Sequence, residues 1–438
     1  MGSEGVFRVF DEFPSGWNEL LVSEVCEINP TQIGKSYPHS EIIYVDISSV
    51  SRGKLISTQR IPIESAPSRA KRIVKDGDTI ISTVRVYRKS YYYVKDPPEN
   101  TIVSTGFVVI RPKKADKRFI YYLLTSDQFI DHLAANSTGS AYPAFNPEII
   151  ERTLIPLPPL PEQRKIAEIL GALDDKIELN YEMNKTLEAI AQAIFKHWFV
   201  DFEPFKDNLV YNEEIGKEIP EGWEVVKLGE VCKVYGGGTP NTNNPEYWEG
   251  GKILWATPTD ITSLGSPVIF DTERKITEKG LKNSSAKLLP SGTILMTSRA
   301  TIGYFAIAKK PISTNQGILS IVCNEYPSNY FILHTLYIKL REIKQVANGS
   351  TYPEVSRSYV RNLKILLPPR GVLNKFNELV EPIYKQISEN EQESRILTQI
   401  RDTLLPKLLS GEIRVKVEEE FWQEVKQLEN INRDKVKI

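Results

Sequence analysis

Residues 160–200, LPEQRKIAEILGALDDKIELNYEMNKTLEAIAQAIFKHWFV, constrain this chain more than any other stretch. Apolar side chains recur at Ile166, Leu170, Leu173 and Ile177, then at Leu187, Ala191, Ile194 and Trp198. Steps of three and four draw one stripe along a long helix, interrupted by Asn180 and Asn184. Adding 210 to Ile166, Leu170, Leu173, Ile177, Asn180, Leu187 and Ile194 gives Phe376, Val380, Ile383, Ile387, Asn390, Leu397 and Leu404, the stripe of a second such segment. Each helix needs an apolar partner, and the other copy supplies it, so the pair is expected to be an antiparallel coiled coil. Facing residues of such a pair have numbers of constant sum. Centring it on Asn180 opposite Asn390 makes that sum 570, with Leu173 near Leu397, Leu187 near Ile383, Ile166 near Leu404 and Ile194 near Phe376. Two arrangements of the asparagines stay open: a buried pair that fixes register at some cost in stability, or two solvated residues at the edge of the stripe.

The duplication extends beyond the helices. PSGWNELLVSEVC (14–26) and PEGWEVVKLGEVC (220–232) share six residues, among them Trp17 with Trp223 and Cys26 with Cys232; composition alone gives about one match over that length. Pro-x-Gly-Trp reads as a turn that delivers an aromatic to a core, followed by a strand. GDTIISTVR (77–85) answers GTILMTSR (292–299); with Thr79 set on Thr293, Thr83 falls on Thr297 and Arg85 on Arg299. STGF from Ser104 matches STNQG from Ser313, and GSAYP from Gly139 matches GSTYP from Gly349. IPLPPLP and ILLPPRG precede the two helices, where proline forbids helix before it and permits helix after it. The fold class is therefore mixed α+β, a form of α/β. It comprises a first globular domain (1–159), a helix (160–200), a linker with a second homologous domain (201–369), a second helix (370–410) and a tail (411–438). Phe421, Val425 and Leu428 suggest a short amphipathic helix in that tail.

Composition excludes several classes. With 25% charged and 41% hydrophobic residues the chain is that of an ordinary globular protein. No run approaches the ~18–20 apolar residues of a membrane span, and MGSEGVFRVFDEF has no signal character, so a cytoplasmic protein is expected. Its three cysteines make no disulfide framework. Gly34-Lys35-Ser36 lacks the first glycine of a phosphate loop, because Asn29 stands there. Asp96-Pro97-Pro98 is followed by Glu99 instead of a stacking aromatic, and Gly236-Gly237-Gly238 lacks the spaced glycine of a nucleotide fingerprint. His39, His132, His197 and His334 are scattered, and neither a metal-ligand spacing nor a catalytic constellation emerges.

What remains is binding surface. A net charge of −1 gives no global attraction to nucleic acid, yet residues 51–118 hold sixteen Lys or Arg against six Asp or Glu, a local excess of ten. Within it RVYRKSYYYVK, from Arg85, interleaves cations with aromatics, as a hairpin approaching phosphates would; Tyr87, Tyr91 and Tyr93 could equally be core aromatics. Candidate DNA contacts are Lys71, Arg72, Thr83, Arg85, Tyr87, Arg88 and Lys89 in the first domain and Thr297, Ser298, Arg299 and Thr301 in the second.

LPPLPEQRKIAEILGALDDKIELN, AIAQAIFKHWFVDFEP and LLPKLLSGEIRV resemble the conserved regions of the specificity subunits of Type I restriction-modification systems, as do the paired Pro-x-Gly-Trp openings and GSxYP turns. The second helix departs from that pattern, opening PPRGVLNKF where the first has PPLPEQ. The resemblance implies two target recognition domains, each reading half of a split sequence in double-stranded DNA. It implies helices that space them and bind two modification (methyltransferase) subunits, with restriction subunits that translocate and cleave. It also implies a non-catalytic chain without cofactors of its own, S-adenosylmethionine, ATP and Mg belonging to the partners. The rivals are a duplicated coiled-coil scaffold without DNA binding and a fused methyltransferase fragment with its own activity. A helix of about 38 residues is on the order of 57 Å long, enough to hold two readers about one DNA turn (~34 Å) or more apart.

Overall fold

A computed structural model of the chain describes residues 5–10, 13–34, 36–324, 326–347 and 354–415. The tail with Phe421, Val425 and Leu428, and the second GSxYP turn at 349–353, lie outside them. The chain divides into two compact units, Met1–Asp175 with Leu397–Ile438, and Lys176–Ile396. Both mix strands with helices.

In the first unit an antiparallel sheet runs in the order Tyr91–Tyr93, Thr79–Ser82, Phe107–Pro112, Cys26–Ile28. A second sheet runs Gln59–Pro62, Glu41–Val45, Thr101–Ser104, Ala70–Ile73, with one parallel pair, Thr101–Ser104 beside Glu41–Val45. The strand Thr79–Ser82 is buried on both faces, so it reads as a continuous short run without clean alternation. Helices Lys117–Thr125 and Asp127–Ala135 cover the first sheet with Phe119, Ile120, Leu123, Phe129 and Leu133. Asp116 caps the first helix through the N–H groups of Arg118 and Phe119; Ser126 caps the next, breaking what would otherwise be one helix.

The second unit repeats the plan. Its main sheet runs Cys232–Gly236, Ile318–Cys323, Ile294–Thr297, Phe305–Ala308, Val268–Ile269, and a smaller one Lys275–Ile276, Ile253–Ala256, Ile312–Thr314. Here one helix, Asn329–Gln345, capped by Ser328, replaces the pair of the first unit. The two Pro-x-Gly-Trp segments form the same turn: Trp17 N–H donates to the Pro14 carbonyl and Trp223 N–H to that of Pro220, both at 3.2 Å, while Gly16 (φ 92°) and Gly222 (φ 78°) take the left-handed step. Both indoles are buried.

The long helices span Leu160–Phe199 and Arg370–Leu409. All fourteen side chains of the expected stripe are buried or half-buried. Within the second unit they run antiparallel, but their register differs from the expected one. Asn390 Nδ2 donates to Asn184 Oδ1 at 2.9 Å; Asn180 Nδ2 donates to Glu393 Oε2 at 2.8 Å, Ser394 Oγ at 3.2 Å and the Asn390 carbonyl at 3.4 Å. The facing numbers of Asn184 with Asn390 and of Asn180 with Ser394 add to 574, not 570. The repeat relation turns either pair into the other, so the centre falls at Glu182 and Gln392, half a turn beyond Asn180. The expected partners of Leu173, Leu187, Ile166 and Ile194 thereby move one turn along. Internal two-fold symmetry allows either centre. The observed one gives the Asn180 and Asn390 amide N–H groups partners in Glu393, Ser394 and Asn184, which favours it because an unanswered buried amide costs more than a bond gains; the Asn180 Oδ1 alone stays without a partner among the described residues.

Each domain grips the end of a long helix. Trp17 Nε1 donates to Glu162 Oε2 at 3.1 Å, and Arg414 makes a bidentate pair with the same carboxylate. Leu408 and Leu409 enter the first unit's core, and Gly411 (φ 74°) lies so close to Pro14 that a Cβ would meet its ring at 2.2 Å. In the second unit Phe199, Phe202 and Phe205 surround Trp223 in the corresponding way.

Buried His334 takes part in a 3.0 Å hydrogen bond between Nε2 and the Tyr384 hydroxyl, and stacks on Phe195. Burial pushes its pKa down to about 4, below the 6.5 of an exposed imidazole. Between those values the unfolded chain binds the proton and the folded one does not, so stability is intact above pH 6.5 and falls towards pH 4. We predict that urea midpoints of the wild type drop over this window, and that His334→Gln flattens the drop.

Candidate nucleic-acid interface

The strand Thr79–Ser82 ends in a loop that the rest of the first domain holds in place. Thr83 N–H and Oγ1 both donate to the Gly106 carbonyl, at 2.8 and 3.0 Å; Phe145 N–H donates to the Thr83 carbonyl at 3.1 Å. Arg85 N–H donates to the Pro143 carbonyl at 2.7 Å. Arg85 (φ 50°) and Lys89 (φ 57°) sit left-handed at either end of the single turn Val86–Arg88. Such strain in non-glycine residues is kept where surrounding contacts over-determine it, as the ladder to Gly106 and Pro143 does here.

The side chains follow from that backbone. Arg85 Nη2 donates to the Ala141 carbonyl at 3.0 Å, and its guanidinium lies 4.2 Å from the centroid of Tyr142, a ring 68% exposed. Tyr87 is 56% exposed, and Arg88 and Lys71 are exposed too. Lys89 is held by Asp127 at 2.6 Å. Arg72 is half-buried; burial lowers its pKa, and its Nε and Nη1 meet no partner among the described residues. Tyr91 and Tyr93 pack against Tyr121 as core aromatics, whereas Tyr87 does not, which separates the two readings left open for these tyrosines. Tyr142, in the GSAYP turn, escaped the sequence reading, which took that turn only as a repeat marker.

The second domain corrects the expected alignment. Gly77 N–H donates to Val94 O and Gly292 N–H to Ala308 O; Thr83 N–H meets Gly106 O as Ser298 N–H meets Gly317 O. Phe145 N–H meets Thr83 O as Val355 N–H meets Ser298 O. The two segments therefore match without a gap from Gly77 on Gly292. Ser82 shares its place with Thr297, Thr83 with Ser298, and Arg85 with Ala300, which is also left-handed (φ 56°). Matching by threonine identity was one residue off, and one residue turns a side chain to the other face. Thr297 is buried, its Oγ1 accepting the Tyr304 N–H at 3.0 Å, and Ser298 is buried as well, so neither side chain is presented to a ligand. Arg299 is exposed but paired with Glu354 at 2.9 Å; Thr301 is exposed.

These are equivalent strand-end loops on two copies of one scaffold. The family model for the Type I restriction modification DNA specificity domain matches the chain twice, over residues 14–189 and 220–400. The chain belongs to that family. Among relatives of this specificity family, the specificity subunit of the Type I restriction enzyme MjaIX of Methanocaldococcus jannaschii is 32% identical over 430 residues, covering 92% of this chain and 95% of that one. That of HindI of Haemophilus influenzae is 27% identical, covering 91% and 100%. The S subunit of a Type I restriction-modification system from M. genitalium, a crystal structure, has the same fold, with a TM-score of 0.55 at 14% identity over 93% of this chain and 98% of that one. The HsdS subunit from Thermoanaerobacter tengcongensis matches at 27% identity and TM-score 0.37, over 92% of this chain and 98% of that one. Among the described residues no cluster of metal-ligating side chains occurs, and no helix is long and apolar enough to cross a membrane. Along the long helices, Leu179, Met183 and Ile190 on the first and Leu379, Ile396 and Ile400 on the second are exposed apolar residues.

Proposed function

We propose that each globular domain of this DNA-specificity chain reads one half of a split double-stranded DNA target, and that the long helices set the spacer and dock two modification subunits. S-adenosylmethionine, ATP and Mg would be handled by those partners and by restriction subunits, in the cytoplasm. The observation that carries the reading is the duplicated strand-end loop, which in the first domain displays Tyr87, Arg88 and Tyr142 to solvent around the half-buried Arg85. Cations there would supply salt-dependent phosphate affinity, and base edges the specificity. Two weak readers joined by stiff helices gain effective concentration that neither has alone. A scaffold without DNA binding gains no support from membership in a DNA-specificity family.

Mapping methylated bases in host DNA by long-read sequencing tests this directly: a bipartite motif is expected, and its absence from an expressed, assembled complex would reject the reading. One heptad inserted into each long helix adds about 10 Å, so the spacer between half-sites should widen by up to about three base pairs with both halves unchanged. An unaltered spacer would sink the ruler role. Leu179 and Met183 lie one turn apart, exposed and without need in the helix pair itself. Replacing both with Glu should leave the melting temperature within a few degrees and abolish co-purification of the modification subunit; retained co-purification would place the docking surface elsewhere.

A further inference from the structure

The second domain has Ala300 where the first has Arg85, so its reader must stand elsewhere. Arg274 is exposed, and its guanidinium lies 3.7 Å from the ring centroid of Trp248 and 5.5 Å from that of Trp255. The two indoles meet edge-on at 4.9 Å. Trp255 Nε1 donates to the Gly238 carbonyl at 2.9 Å and Trp248 Nε1 to that of Asn241 at 3.1 Å, so both are pinned to the glycine-rich loop that fitted no nucleotide fingerprint. Gly238 N–H in turn donates to Thr314 O at 2.8 Å, and Thr239 is hydrogen-bonded to Gln316. The next residue, Gly317, accepts the Ser298 N–H, which places this shelf beside the strand-end loop. Among the described residues the Arg274 guanidinium has no carboxylate partner and donates no hydrogen bond.

The first domain holds an arginine at the matching place from a different segment of the chain, Arg69 just before Ala70–Ile73 where Arg274 stands just before Lys275–Ile276. Leu254 pairs with Lys275 and Ile312 as Ile43 pairs with Arg60 and Thr101, so Trp255 and Tyr44 occupy the same position. The Tyr44 hydroxyl accepts from Arg69 Nε at 3.1 Å, and the Arg69 side chain is 60% exposed, 3.6 Å from Asp46. The Arg69 carbonyl accepts the Thr105 N–H, one residue before Gly106, the anchor of Thr83. Two unrelated arginines thus converge on one aromatic position at the same loop end.

We infer that Arg274, held on Trp248 and Trp255, is a specificity-determining residue of the second domain, and that Arg69, held on Tyr44, plays that part in the first. The inference rests on the DNA-reading role proposed above. A guanidinium fork offers two parallel N–H donors that match O6 and N7 of guanine, and a side chain already held, Arg274 by stacking and Arg69 by its hydrogen bond to Tyr44, has lost the rotamer freedom that binding would take. The test is methylated-base mapping and DNA binding by the assembled complex, with melting curves for each variant. Arg274→Ala and Arg274→Lys should melt like the wild type, bind cognate DNA roughly tenfold to a hundredfold more weakly, and relax one or two positions in one half-site only. Arg69→Ala should relax the other half. Folded variants that keep the wild-type motif and affinity would overturn the inference. So would a loss uniform over all sequences, which marks a phosphate contact, or unfolding of both Arg274 variants, which marks a structural residue. A wild-type complex with no bipartite motif would overturn the underlying role instead, and the inference with it.

Discussion

Phe199→Ala is expected to destabilise the second unit by about 3–5 kcal/mol. Phe199 is buried at the end of the first long helix, its ring 4.9 Å from Phe195 and Phe376, 5.1 Å from Phe331 and 5.7 Å from Trp223. The edge-on pairs with Phe331 and Phe376 add to the burial itself, and a site walled by these four aromatics has no small side chain that could collapse into the hole. Phe199→Leu keeps most of the volume and should cost clearly less, about 1–2 kcal/mol. Urea unfolding followed by tryptophan fluorescence would measure both. Equal, small losses would mean that the cluster repacks and that this helix end is not where the second domain is anchored.

Asp78→Ala should cost the first unit about 3–5 kcal/mol, for a different reason. Asp78 Oδ1 and Oδ2 accept from Arg111 Nε at 2.8 Å and Nη2 at 2.7 Å, and Oδ2 also accepts the Lys75 N–H at 2.7 Å. The carboxylate is 1% exposed and the guanidinium 18%, so removal strands a mostly buried cation whose remaining contact is Thr31 Oγ1 at 3.4 Å. Hydrogen bonding to Asp78 raises the Arg111 pKa in the wild type, and even without that partner a guanidinium is too basic to escape by losing its proton. Asp78→Ala with Arg111→Met should be less harmful than Asp78→Ala alone, since no charge is left unpaired. A double variant no better than the single would show that the pair contributes nothing beyond shape. In the second domain Thr293 takes this place and donates to the Pro290 carbonyl at 2.7 Å, so the ion pair has no twin there.

The two helices, their stripe, the Pro-x-Gly-Trp turns and the order globular, helix, globular, helix were legible in the chain. These features depend on period and on local turn chemistry, and duplication doubled every signal. Register was not legible to better than a turn. A repeat of 210 admits a centre at Asn180 or at Glu182, and only the partners of the buried amides, Asn184 and Ser394, separate them. The strand-end loops were read one residue out for a similar reason. Three matching residue types suggested a gap that the strand ladder does not contain, and Thr297 proved to be a core residue while Ala300 took the place of Arg85.

From sequence alone came the duplicated plan, a mixed α+β class, and a basic first domain in a chain of net charge −1. Only the tertiary structure decided which cations are free. Arg85 is bound to the Ala141 carbonyl in the GSAYP turn, Arg299 to Glu354 and Lys89 to Asp127, while Arg274 stands on two indoles far from it in the chain. Periodicity reports which face of an element is buried. Whether an exposed arginine meets a carboxylate, a carbonyl or an aromatic depends on contacts between residues tens of positions apart, and no local pattern carries them.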